Sequence, residues 1–356
     1  MRSLLLLVLL ARADARQQCH HYEPSLLERK WVSAFASAEA QNASFGVRNL
    51  CELWRPVRLP ADASRMTCGK QQVLIEPLVG LLRNPDLQCA QLRRQKLPPS
   101  DWRWESSLKS YKYLREVLDP AYIHLDGAMG MLGTGQGASD GINGGTNGER
   151  RRAVLLDMGA SLWAGGGPGE KEVGATATRW LVKRFGELGV TFDRILTWEA
   201  TKHTSKELWR NVPLEIASVA SFYGLPVSDV YGHPQHPWSV LMRIARPSDL
   251  VVVKLDIDTP VLEASLVEQL MSDANVSSRV DVFFWEEHWS AATTASNIGC
   301  KTPQDVCIVK GPFHNVPQLS VQERAAYPWF HAVPLSETYQ KFVRLRELGI
   351  LAHPWM

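Results

Sequence analysis

The sequence predicts an α/β fold over residues 152–356: a parallel or mixed sheet flanked by helices, preceded by a helical, disulfide-bearing extension. Three observations predict it. Short apolar runs of strand length alternate with helix-length stretches of 3.6-residue periodicity, the pattern of βαβ units. The runs are apolar without alternation, as strands buried on both faces are. Several of them end in an acidic residue, at the edge where open α/β sheets place their ligands.

In chain order, Arg2 precedes the apolar run Leu4–Ala11, and Ala13-Asp-Ala15 offers a small-x-small cleavage site. Residues 1–15 therefore read as a secretory signal peptide. The run spans only ~12 Å as a helix against a bilayer core of ~30 Å, so no permanent membrane span is expected. Residues 16–132 read as mostly helical. Leu26, Leu27, Trp31, Val32 and Phe35 recur at helical spacing, as do Val73, Leu74, Pro77, Leu78, Leu81 and Leu82, and Leu108–Leu118 offers one more helix. Cys19, Cys51, Cys68 and Cys89 lie in this region, and Cys300 and Cys307 in the tail. An even count behind a signal peptide suggests disulfides, with the pairing open. Asn42-Ala-Ser44 and Asn275-Val-Ser277 are glycosylation sequons in that compartment.

Residues 133–151 are rich in glycine, Gly133-Thr-Gly-Gln-Gly-Ala-Ser-Asp-Gly at their start. Ala138 stands where a dinucleotide fingerprint needs its third glycine, and no GK[ST] follows, so the stretch reads as a flexible loop and a boundary. Beyond it come a strand at Ala153–Gly159, a helix from about 174 to 188 closed by Gly189, and a strand at Phe192–Glu199. A less regular third strand is expected within Ser221–Val227. The fourth is Leu250–Ile257, stopped at Pro260 and followed by a helix to Met271. Val280–Trp289 supplies the fifth, Ser336–Leu348 a helix ended by Gly349, and Ile350–His353 a last strand.

Composition narrows the function. The chain of 356 residues has 45% hydrophobic and 21% charged residues, as ordinary globular proteins do. A net charge of +2 without a basic stripe argues against nucleic-acid binding. Asp157, Glu199 and the pair Asp256/Asp258 then stand at three strand ends. A carboxylate at the end of a second strand can accept hydrogen bonds from both hydroxyls of a ribose. Asp258 or Thr259 could instead cap the next helix; that leaves Asp256 unexplained.

At these residues the chain resembles the S-adenosylmethionine-dependent methyltransferases. Leu155-Leu-Asp-Met-Gly-Ala160 is similar to their first motif and Trp198-Glu199 to the acidic end of their second strand. More specifically, Val253-Lys-Leu-Asp-Ile-Asp258 with Glu263 resembles the Lys-x-Asp-x-Glu-Gly-x-Glu pattern of the FkbM-type methyltransferases, and Phe283-Phe-Trp-Glu-Glu-His288 resembles their fifth strand. The resemblance covers residues 150 to 290; Asp258-Thr-Pro260 departs from it where the family has Glu-Gly. It implies a Rossmann-like methyltransferase domain. Asp157, Gly159, Ala160, Ser161 and Glu199 would hold S-adenosylmethionine, and Asp256, Asp258, Glu287 and His288 would act on a small-molecule or glycan acceptor. His288 is the candidate base, having the one side-chain pKa near neutrality. No metal is assigned. Two other readings use the same residues. Asp256-x-Asp258 is also the DxD pattern of metal-dependent glycosyltransferases, with His288 as a further ligand, and a degenerate methyltransferase fold could serve as a secreted binding protein.

Overall fold

Six parallel strands form the central sheet of the computed structural model, which describes residues 19–40, 60–68, 71–78, 123–125, 152–160, 162–163, 177–257, 259–286 and 335–355. They are β4 (Ala153–Met158), β5 (Arg194–Trp198), β6 (Ala220–Tyr223), β7 (Leu250–Leu255), β8 (Val282–Trp285) and β9 (Leu351–Pro354). Their spatial order is β6-β5-β4-β7-β8-β9, and every described pairing in the sheet is parallel. The chain enters at the centre, moves out to β6, and returns to the other side of β4. That reversal, between β4 and β7, is the switch point of a Rossmann-like sheet, the place where open α/β sheets carry their ligands.

The two central strands show why the apolar runs do not alternate: all six residues of β4 and all six of β7 are buried. Val154, Leu156, Met158, Val251, Val253 and Leu255 face one layer, with Phe283 and Trp285. Helices α5 (Pro237–Ile244), α6 (Pro260–Ser272) and α8 (Leu335–Glu347) cover it, through Trp238, Leu241, Leu266, Leu270, Phe342 and Leu345. Burying each such side chain stabilises by about 1.5–3 kcal/mol. Leu155, Val252, Val282, Phe284 and Leu351 face the other layer, where α2 (Ala177–Glu187) lays Leu181 and Phe185. Gly189, at φ +80°, lets Val190 N–H turn back to Phe185 O at 2.9 Å and closes α2.

The N-terminal region differs from its helical expectation. Its described residues contain one helix, α1 (Leu26–Ala40), and an antiparallel sheet of β1 (Cys19–Glu23), β2 (Ser64–Cys68) and β3 (Gln71–Ile75). Val73 and Ile75 alternate inward on β3, and Glu76, Pro77 and Leu78 follow as buried irregular chain. The spacing of Val73, Leu74, Pro77 and Leu78 therefore imitated a helix across a strand end. The Leu108–Leu118 helix and the glycine-rich stretch lie outside the described residues. Cys68 is disulfide-bonded; the other cysteine side chains fall outside the described residues.

This small sheet shares the second layer of the core, packing Tyr22, Met66, Val73 and Ile75 with Leu155, Phe284 and Leu351. A buried polar junction ties it to α8 and β9. The Glu28 carboxylate accepts from Tyr22 Oη (2.6 Å), Ser64 Oγ (2.6 Å), Leu78 N (3.0 Å) and Tyr339 Oη (2.8 Å). Glu76 pairs with Arg346 at 3.1 Å and His353 Nδ1 at 2.8 Å. Burial pushes the Glu76 carboxyl up, and the His353 and Arg346 partners outweigh it, so its pKa lies below the usual range. The core therefore joins residues from both sides of the boundary expected at 133–151.

Of the remaining helices, α3 (Ser205–Leu208), α4 (Leu214–Ala217) and α7 (Ala274–Ser277) are single turns. The third strand is Ala220–Tyr223 and stops short of the expected Val227, because Gly224 and Pro226 end the ladder.

Candidate functional site at the carboxyl rim of the sheet

Backbone hydrogen bonds extend the parallel registers one residue past the strands. Glu199 N–H donates to Tyr223 O, Gly159 N–H to Trp198 O, Asp256 N–H to Met158 O, Glu286 N–H to Leu255 O and Trp355 N–H to Trp285 O, all at 2.8–3.1 Å. Glu199, Gly159, Asp256, Glu286 and Trp355 thus form one row across five adjacent strands. At the usual strand spacing, Glu199 and Asp256 lie about 10 Å apart across the switch point, with Gly159 between them.

Gly159 holds the centre of that row at φ +82°. A Cβ built on it would lie 1.6 Å from Asp256 O. The turn after β4 therefore presses against the end of β7, and only glycine fits. Both Gly159 N–H and Ala160 N–H are held by Trp198 O, at 2.9 and 3.1 Å. Ser161 lies outside the described residues.

Beneath the row lies a buried ion cluster. Lys254 is fully buried; its Nζ stands 3.2 Å from Asp157 Oδ1 and 3.3 Å from Asp256 Oδ2. It also donates to Gly159 O at 3.0 Å. Burial alone would lower the Lys254 pKa, but Asp157 and Asp256 outweigh it and hold the ammonium charged well above the ordinary lysine value. Thr178 Oγ1, from α2, donates to Asp157 Oδ2 at 2.5 Å. Asp157 is fully buried and ion-paired. It supports the turn from below, through the Lys254 ammonium that also donates to Gly159 O. Lys254 thus pairs with Asp256 at the end of its own strand and, in register across the sheet, with Asp157.

Two acids keep access to the rim. Asp256 has 20% of its side chain exposed beside Lys254. Glu199 is half-buried, with Oε1 accepting from Thr201 N–H at 2.7 Å. Asp258, Glu287 and His288 lie outside the described residues. Thr259 occupies the N-cap of α6 without a side-chain cap bond. Instead the buried Glu263 carboxylate accepts from Ile257 N–H at 3.0 Å and Thr259 N–H at 3.4 Å. The segment leaving β7 is thereby held by Glu263, a residue the sequence marked only as part of a motif.

The sequence reading missed Thr178 and Trp355. Trp355 lies half-buried at the far end of the row, with its ring centroid 5.9 Å from Lys254 Nζ. Nothing local in Pro354-Trp355 signals this; the parallel register of β8 with β9 places it there.

The rim offers a backbone turn closed on the end of β7, a carboxylate on each side of it (Glu199 and Asp256), and one buried cation shared by Asp157 and Asp256. Such a rim suits a ligand that donates hydroxyls. In comparison with known proteins no family model matches the chain, and neither a curated protein nor a solved structure does.

Proposed function

We propose that the protein is an S-adenosylmethionine-dependent methyltransferase of the secretory pathway, acting on a hydroxyl of a small-molecule or glycan acceptor. The observation that carries this reading is the row Glu199–Gly159–Asp256 across the switch point. The residues fit the cofactor. Gly159 lets the turn after β4 close on the end of β7 and so brings Asp256 into the row, and Glu199 can accept from ribose hydroxyls. The partly exposed Asp256 carboxylate can accept from an acceptor hydroxyl.

When bound, S-adenosylmethionine supplies an electrophilic methyl on a cationic sulfur. Asp256 orients the acceptor hydroxyl, and His288, three residues beyond β8, takes its proton. Held beside Glu199, the cofactor would supply the methyl group, and the acceptor oriented by Asp256 would supply the oxygen nucleophile. In-line placement supplies much of the rate, which is why Lys254 and Glu263 matter: they fix both ends of the segment carrying Asp256.

The DxD reading places a divalent cation on Asp256. The Lys254 ammonium, 3.3 Å from that carboxylate and strongly held in its charged form, opposes a second cation there. Asp256 is better suited to an organic ligand.

Binding of S-adenosylhomocysteine measured by calorimetry tests the reading. Glu199→Ala removes charge-assisted hydrogen bonds worth about 1.5–3 kcal/mol, so affinity is expected to fall by roughly 10- to 100-fold. Equal binding by wild type and Glu199→Ala refutes the ribose assignment, and no binding by wild type refutes the cofactor. The secretory part rests on Leu4–Ala11 with Ala13-Asp-Ala15. Among the described residues no helix is long and apolar enough to cross a membrane. Mass spectrometry of the native protein is expected to find a chain beginning at Arg16; an intact Met1 refutes it.

A further inference from the structure

We propose that Trp355, braced by Trp180, is the platform on which the acceptor lies, and that the acceptor is a hydroxyl-bearing ring. This rests on the methyl-transfer reading and adds the class of acceptor to it. The register places Trp355 two strands from Asp256 in the rim row, about 10 Å along the sheet. Its N–H is fixed to Trp285 O at 2.8 Å, so the indole is carried by the sheet and not by a loose end.

The ring is held in a defined pose. Trp180 of α2 meets it at 5.5 Å and 60°, and Phe284 of β8 meets it at 5.6 Å and 78°, both in edge contacts that favour aromatic pairs. Lys254 Nζ, 5.9 Å from its centroid, polarises the same indole. Yet Trp355 and Trp180 both remain only half-buried, unlike Trp198, Trp238 and Trp285 of the core. Lys254 thus stands between two groups at one rim: a rigid aromatic surface on one side and the Asp256 carboxylate on the other. Few polar groups beside an aromatic wall are what orient a small ligand. A flat ring laid on Trp355 presents an edge hydroxyl toward Asp256. Phenolic rings and pyranoses share that chemistry, and an open-chain alcohol lacks it.

The test uses the full chain labelled with 15N-tryptophan. With 13 tryptophans, the indole N–H signals of Trp355 and Trp180 are identified by their loss in Trp355→Phe and Trp180→Phe. Catechol, methyl β-glucoside and 1,2-propanediol are titrated in turn, with and without S-adenosylhomocysteine. Both signals are expected to shift saturably with catechol or with the glucoside, and not with propanediol. A shift with catechol alone assigns phenolic acceptors; one with the glucoside alone assigns glycans. Trp355→Ala is expected to weaken ring binding about tenfold, equivalent to about 1.4 kcal/mol, whereas Trp355→Phe stays close to wild type. S-adenosylhomocysteine affinity is expected to be the same in all three proteins. The proposal is overturned if neither ring shifts the two signals, if propanediol shifts them equally, or if Trp355→Ala binds rings as wild type does. Loss of cofactor binding in wild type is a separate failure, since the ring titration is read without cofactor too.

Discussion

Gly159→Ala is expected to be the most damaging single-methyl addition in the sheet. The new Cβ would sit 1.6 Å from Asp256 O in a turn at φ +82°, so the β4 turn or the end of β7 must move. Backbone strain at such a position costs about 1–3 kcal/mol before the clash is relieved, and the total is expected to reach about 3 kcal/mol or more in urea unfolding. Gly189→Ala is the matched control. It has nearly the same φ, +80°, but open space where its Cβ would go. It should lose only about 1 kcal/mol, the left-handed penalty alone. The difference between the two measures the close approach of β4 and β7. Equal losses would show that conformation, and not the contact with Asp256, demands the glycine. On the proposed reading the folded fraction of Gly159→Ala also binds S-adenosylhomocysteine more weakly, because the same movement breaks the row that sets Glu199 and Asp256 on either side of the turn.

Lys254→Met is the second large effect. It removes the ammonium from between Asp157 and Asp256 and strands the fully buried Asp157 carboxylate. Breaking a buried pair in this way costs about 3–5 kcal/mol. Adding Asp157→Asn removes the stranded charge, so the double variant is expected to recover a substantial part of the loss. A double variant no more stable than Lys254→Met would mean that the lysine stem, and not the charge, supplied the stability. The pH dependence has a definite sign. The folded-state pKa of Lys254 is raised, so its stabilisation is fully present below the unfolded lysine pKa and is lost as pH rises through the folded value. Between pH 5 and 9 the difference between wild type and Lys254→Met should therefore owe nothing to lysine titration. On the alkaline side it should shrink only in strongly alkaline solution.

The sequence by itself determined the sheet strands, because runs such as Leu250–Leu255 are buried on both faces and cannot be anything else in a chain this size. It also marked Glu199, Gly159 and Asp256 as rim residues, since each directly follows such a run or lies one step beyond it. It misread Val73–Leu78, where a buried strand end and a buried irregular turn together reproduced helical spacing. Only the tertiary structure decided the rest. Asp157 is the buried counterion of Lys254, which stands opposite it in the neighbouring strand 97 residues later in the chain. Trp355 reaches the rim row because β9 pairs with β8 in parallel. Local spacing fixes which face of a strand a residue occupies; which residue of another strand lies across from it depends on sheet order and register, and those are set by the packing of the whole core.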